Sequence, residues 1–211
     1  MSEPMQIVLA PMEGVVDAPM RRLQAAIGGP DAMVTEFVRV TEHLLPPKVF
    51  YRLVPELRSE HCGYGEVPLT VQLLGSNPQT LGQNAVRAIE LGAPAIDLNF
   101  GCPAKTVNKS MGGAIMLRQP TSVFDAVKGV RSAVDPQYSV SGKMRLGYED
   151  KSLALENAKA IEEGGAAYLT VHARTKVEGY KPPAHWEWIA RIRESVNIPV
   201  VANGEIWTPE D

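Results

Sequence analysis

Five residues have types and settings that could do chemistry: Gln72, Asn99, Cys102, Lys143 and His172. Cys102 is one of only two cysteines, and it stands in "DLNFGCP", just past the apolar run "APAI". Gly101 before it permits close backbone approach, and Pro103 after it stiffens the turn. That context, beside Asn99 and ahead of "AKTVNKSMGGA", is that of an active loop; the competing account is a buried cysteine serving as a small hydrophobe. Lys143 interrupts "YSVSGKMRL", where a buried amine needs an anionic partner such as Asp97 or Glu36. His172 ends "LTVH" and Gln72 lies inside "LTVQLL". Each alone could be a satisfied core group. On neighbouring strands, each would demand its own partner in one small space. Cys62, in "HCGYGEVP", reads as a packing residue. The two cysteines are 40 positions apart (102 − 62), with no C-x-x-C pair and no nearby His in ligand spacing, so neither a disulfide nor a metal site is expected.

The elements that must carry these residues recur at about 30-residue spacing, the length of a strand plus crossover helix. Seven segments read as strands: "QIVLA" from Gln6, "AMVTEF" from Ala32, "LTVQLL" from Leu69, "APAIDLN" from Ala93, "YSVSGKM" from Tyr138, "AYLTVH" from Ala167 and "IPVVAN" from Ile198. Between them the period becomes helical. Leu81, Ala85, Ala88 and Ile89 share a face, as do Val123, Val127, Val130 and Val134, and Ile189, Ile192 and Val196. Gly92 and the Gly164–Gly165 pair stand where helices should end. Strands read as apolar on both faces imply a parallel sheet covered by helices. Every strand ends in polar or glycine-containing residues, which a TIM (β/α)8-type barrel would gather at one mouth. The alternative, an open doubly wound sheet, is disfavoured because "APMEGVVDAP" lacks a G-x-G-x-x-G turn. Seven strands leave the barrel incomplete. Thr208, Pro209, Glu210 and Asp211 read as a helix start, so residues 1–211 are expected to be one partial barrel domain of a longer chain.

With 211 residues, 45% hydrophobic, the chain has enough apolar content for a substantial core. No apolar run approaches the ~18 residues of a membrane span, and the N-terminus lacks a signal-peptide pattern, so a soluble, cytoplasmic protein without a membrane partner is expected. A net charge of −3 gives no global reason for a nucleic-acid partner. Any such contact must be local. Arg39, Lys105, Lys109, Arg145, Arg174 and Lys176 all follow strands and could ring the mouth, although scattered surface charge is the default explanation for most of them. "SMGGA", from Ser110, is assigned to shaping the Cys102 loop.

"LAPMEGVVDAPMR", "LNFGCPAKTVNKSMGGAIML", "KMRLGY", "LTVHARTKVEGY" and "IPVVANGEIW" together resemble the tRNA-dihydrouridine synthases, and "VTEFVRVTEHLLPPKVF" is most similar to the bacterial C-type subfamily. The resemblance runs along the whole chain. It implies an FMN enzyme, built as an eight-stranded barrel followed by a helical domain, that reduces a D-loop uridine of tRNA to 5,6-dihydrouridine; uridine 16 is the expected target. NADPH would reduce the flavin, hydride would pass from flavin N5 to C6, and Cys102 would deliver a proton to C5. By the same resemblance Pro11, Met12 and Glu13 lie on the cofactor, with Pro11 and Met12 packed on the isoalloxazine. Gln72 bonds its pyrimidine edge, Lys143 and His172 stabilise charge near N1 and O2, and Asn203, Gly204 and Glu205 contact its tail. Asn99 holds the uracil or its ribose, while Arg39, Lys105, Arg174 and Tyr180 contact tRNA. The glycine and arginine that grip the FMN phosphate in the family fall beyond residue 211. No DNA partner and no oligomer are implied, so a monomer is expected. Two rival readings remain: a dihydroorotate-type flavin barrel acting on a free pyrimidine, and a tRNA-binding factor without turnover.

Overall fold

The computed structural model describes residues 6–208. The chain runs through β1 (Val8–Leu9), α1 (Ala18–Ile27), β2 (Ala32–Val34), β3 (Val38–Arg39), α2 (Pro47–Leu53), β4 (Gly63–Tyr64), β5 (Val67–Leu74), α3 (Pro78–Glu90) and β6 (Ala95–Phe100). It continues through α4 (Lys105–Lys109), α5 (Pro120–Ala133), β7 (Ser139–Arg145), α6 (Ala154–Glu163), β8 (Leu169–His172), α7 (Trp186–Ser195) and β9 (Val200–Asn203). Seven strands form one parallel array in the order β1-β2-β5-β6-β7-β8-β9, matching the seven segments read from the sequence. Among the described residues β1 and β9 are its two ends, so the barrel is incomplete. The helix start read at Thr208 lies outside the described residues from 209 onward.

Local signals explain the helices. Asp17 caps α1 by accepting from the Met20 N–H at 3.0 Å, and Asn77 caps α3 by accepting from the Thr80 N–H at 3.0 Å. The three expected helical faces all point inward: Leu81, Ala85 and Ala88 are buried, as are Val123, Val127, Val130 and Val134 and then Ile189, Ile192 and Val196; Ile89 is half-buried. Helices α3 and α5 cross closely because both carry glycine at the contact. A Cβ on Gly82 would lie 3.0 Å from Ala133 Cβ, and one on Gly129 would lie 2.7 Å from Pro78 Cβ.

Two features depart from the sequence reading. "AMVTEF" does not continue as one strand: β2 stops at Val34, and β3 resumes beside the far half of β5. Thr35 bridges the break, its Oγ1 accepting from the Gln72 N–H at 3.0 Å and its own N–H donating to Thr70 O at 3.0 Å. A side chain has replaced part of the ladder. The second departure is larger. The central strands are not apolar on both faces; they alternate. Leu69, Val71, Ile96, Leu98, Val140, Met144, Leu169 and Val171 join the helix-covered core. The residues between them, Thr70, Gln72, Asp97, Asn99, Ser141, Lys143, Arg145, Thr170 and His172, share the opposite, polar face. This polar inner layer positions the site.

Candidate active site

A cavity of about 540 Å3 opens at the strand ends. Its walls come from the loop after β1 (Pro11, Met12, Glu13), the inner face of β5 to β8 (Gln72, Asn99, Lys143, Arg145, His172), the Cys102 loop, and the segments carrying Arg174, Tyr180, Asn203, Gly204 and Glu205. Among the expected site residues whose side chains are described, all except Arg39 therefore surround one space. A larger outer groove of about 640 Å3 lies between α3 and α5, far from these groups.

The Cys102 loop is held from several sides. Asn99 Oδ1 accepts from the N–H groups of Gly101 at 2.9 Å and Cys102 at 2.8 Å. Arg145 Nε donates to Gly101 O at 2.9 Å, and Asn108 Nδ2 donates to Cys102 O at 3.3 Å and Ala104 O at 2.8 Å. Gly113 presses against the loop so closely that a Cβ would lie 2.9 Å from Cys102 O, and the Ala114 N–H donates to the same oxygen at 3.1 Å. The "SMGGA" glycines thus shape this loop. Cys102 itself is 7% exposed, against Leu74, Val107, Phe37 and Ala104. Burial raises its thiol pKa, Glu13 adds to the rise, and the Ala104 amide and the charges of Arg145 and Arg39 oppose it. The group is a protonated thiol at neutral pH.

Below the loop, Asn99 Nδ2 donates to Gln72 Oε1 at 2.8 Å and Gln72 Nε2 donates to Asp97 Oδ2 at 2.7 Å; Ser141 Oγ lies 2.6 Å from Asp97 Oδ1. Burial raises the Asp97 pKa against these two hydrogen bonds and the charge of Lys143. Lys143 does not form the ion pair expected of it. Its Nζ donates to Asn203 Oδ1 at 3.0 Å, and Glu36 instead accepts from the Gly14 N–H at 2.6 Å. Burial lowers the Lys143 pKa to about 8, with Asp97 attraction offsetting part of the fall and Arg145 adding to it. His172 is lowered to about 3 by burial and by the charges of Arg145, Lys143 and Arg174, so it is neutral. Arg174 Nη1 lies 3.3 Å from His172 Nε2. Because a guanidinium only donates, Nε2 is the acceptor and the ring proton sits on Nδ1.

Other expected residues are engaged with the protein. Arg174 is 3% exposed; it donates to Lys181 O at 2.9 Å and pairs with Glu205 at 3.0 Å. Its charge turns inward and neutralises an acid of the cavity wall. Glu205 also accepts from the Ala184 N–H, and Gly204 fits against His172 so closely that a Cβ would lie 2.9 Å from its Cδ2. Tyr180 is 68% exposed at the mouth and stacks with Arg145, 5.1 Å from guanidinium carbon to ring centroid. Arg39 lines an adjoining hollow and donates to Thr106 O at 3.0 Å and Ser110 Oγ at 2.9 Å, so it touches the segment behind Cys102. The Lys105 side chain lies outside what is described. Phe37 and Trp207 also line the cavity with no signal in the sequence that marks them, and Arg145 joins it from among the basic residues that follow strands. Arg145 had a signal: two positions after Lys143, it must share that face.

The array and its end-of-strand cavity define a barrel of the TIM class. Phosphonopyruvate hydrolase in complex with oxalate and Mg++ is a structural neighbour, with a TM-score of 0.62 at 12% identity over 93% of this chain and 66% of that one, a likeness of fold alone. The family model described as dihydrouridine synthase matches residues 8–211, and the chain belongs to that family. The tRNA-dihydrouridine(16) synthase of Pseudomonas putida is 58% identical over 98% of this chain and 64% of its own length. The protein of that name from Shewanella oneidensis is 55% identical over 98% of this chain and 66% of its own. In Neisseria meningitidis serogroup B the figures are 54%, 100% and 64%. The chain thus spans about two thirds of the length of these relatives. Among the described residues no cluster of His, Cys, Asp or Glu could hold a metal, and no helix is long and apolar enough to cross a membrane.

Proposed function

We propose that this chain is the catalytic barrel of an enzyme that reduces a D-loop uridine of tRNA, uridine 16, to 5,6-dihydrouridine. The observation that carries the reading is a protonated Cys102 thiol on the wall of the cavity that Gln72, Lys143 and His172 also line. The cavity suits FMN on its own terms. Its volume, about 540 Å3, is in the range of cofactor pockets. Gly204 lets the His172 ring seat against the cavity wall where a side chain would displace it, and the acid Glu205 is neutralised by Arg174. Lys143 and the Nε2–H of Gln72 not given to Asp97 would supply donors for an electron-rich ring edge, with the neutral His172 beside them. Pro11, Met12 and Glu13 would border the bound flavin, as would Asn203, Gly204 and Glu205. Bound there, the flavin would supply hydride for C6 of the uracil, with NADPH as its reductant.

Cys102 supplies the proton for C5. Burial holds that proton on sulfur until it is needed, and the charges of Arg145 and Arg39 favour the thiolate left behind. Asn99 serves chiefly to set the loop, since its oxygen is committed to two backbone N–H groups. The base must leave the tRNA stack to enter, at a cost of a few kcal/mol. Tyr180 at the mouth, with Arg39 in the adjoining hollow, is the surface for that encounter, and Lys105 remains a candidate from the sequence alone; Arg174 acts from inside the wall.

The test is incubation of the purified protein with FMN, NADPH and either unmodified tRNA or free uracil, with mass spectrometry of the products. Dihydrouridine at position 16 of tRNA is the expected result. Reduction of free uracil alone would turn the reading toward a dihydroorotate-type enzyme. Tight tRNA binding without turnover would leave a binding factor.

A further inference from the structure

We propose that Asp97 is a positioning residue whose carboxylate, acting through Gln72 and Asn99, fixes the loop that carries Cys102. The proposal rests on the reading of Cys102 as proton donor, but its geometry stands apart from it. The N–H groups of Gly101 and Cys102 can only donate, so the Asn99 atom facing them, at 2.9 and 2.8 Å, must be Oδ1. Nδ2 of Asn99 then faces Gln72 and requires its Oε1, at 2.8 Å. Nε2 of Gln72 is thereby turned toward residue 97, where it finds an acceptor at 2.7 Å. One chain of three side chains runs from the floor of the barrel to the loop, and only one orientation of both amides satisfies it.

Asp97 is the end stop. A carboxylate presents acceptors on both oxygens, and any proton it holds can sit on Oδ1 toward Ser141, 2.6 Å away, leaving Oδ2 to accept. Gln72 is fully buried, so water cannot take over if that acceptor is lost. A reversed Gln72 amide would set donor against donor at Asn99, and the mismatch would pass to the Cys102 turn. Asp97 does not line the cavity, which separates its role from those of the groups around it.

The test is peptide-resolved alkylation of the two cysteines together with amide hydrogen exchange at Gly101 and Cys102, in the unaltered protein and in Asp97→Leu and Asp97→Asn. Cys62, half-buried against the main core and absent from the cavity wall, serves as an internal control for global unfolding. In Asp97→Leu, Cys102 should alkylate about tenfold faster and both amides should lose about tenfold of their protection, with Cys62 unchanged. Asp97→Asn, which can still offer an oxygen to Gln72, should restore both readouts, and dihydrouridine yield should follow the same order. If Asp97→Leu does not fold, Gln72→Met breaks the chain one link later and should show the same release of Cys102. Wild-type Cys102 alkylation and amide protection in a folded Asp97→Leu or Gln72→Met protein would overturn the proposal, as would an Asp97→Asn protein no better than Asp97→Leu. Alkylation and exchange need no turnover. Absence of dihydrouridine from the unaltered protein would therefore count against the functional reading and leave Asp97 to be judged by them.

Discussion

At the scale of single residues, the chemistry turns on which groups hold protons. Replacing Cys102 with Ala should abolish dihydrouridine formation, a loss of at least about a hundredfold for a missing general acid, while FMN and tRNA affinities stay within about twofold by fluorescence titration. Lys143 offers a pH test. Its folded pKa of about 8 lies below the ordinary 10.5, so the charge that the proposed function assigns to it beside the flavin is lost as pH rises through 8. Turnover should fall on that alkaline limb, and in Lys143→Arg, where the side chain stays charged, the limb should move out of range. Stability runs the other way. Between about 8 and 10.5 the unfolded chain binds more protons at this site, so the burial penalty is relieved as pH rises. The identities of Lys143 and His172 were legible as polar groups interrupting apolar strands. Their charge states were not, because the neutrality of His172 comes first from its burial and then from the charges of Arg145, Lys143 and Arg174, the first two of which reach it from a neighbouring strand.

At the scale of elements, glycine decides how close two helices come. Gly129→Val at the α3–α5 crossing would drive a side chain into Pro78, whose backbone oxygen lies 2.8 Å from an added Cβ. Unfolding in urea should show a loss of about 1–3 kcal/mol for this overpacking, with no change at the cavity. The helical faces and seven parallel strands could be read from periodicity, since those patterns repeat over many residues. The break between β2 and β3 could not. It depends on Thr35 lending its hydroxyl to β5, an interaction between segments 37 residues apart. The short antiparallel β4, which pairs only at Gly63 and Tyr64, carried no pattern long enough to see.

At the scale of the whole molecule, β6 lies at the centre of the array and β1 and β9 at its ends. In a chain of residues 1–211, native-state hydrogen exchange should rank the strands in that order, with β6 amides the slowest and those of Val8–Leu9 and Val200–Asn203 faster by about a hundredfold or more, because strands with one neighbour open locally. The alternation of the inner strands also bears on how this protein can change. Asp97 and Asn99 face the polar interior while Leu98 and Phe100 face the helices, so deleting one residue ahead of them would swap the two sets. Such a frameshift in space would remove the polar layer that holds the Cys102 loop and break the core in one stroke. Loss of the site with the fold kept must therefore come by substitution, with length changes tolerated only in the loops.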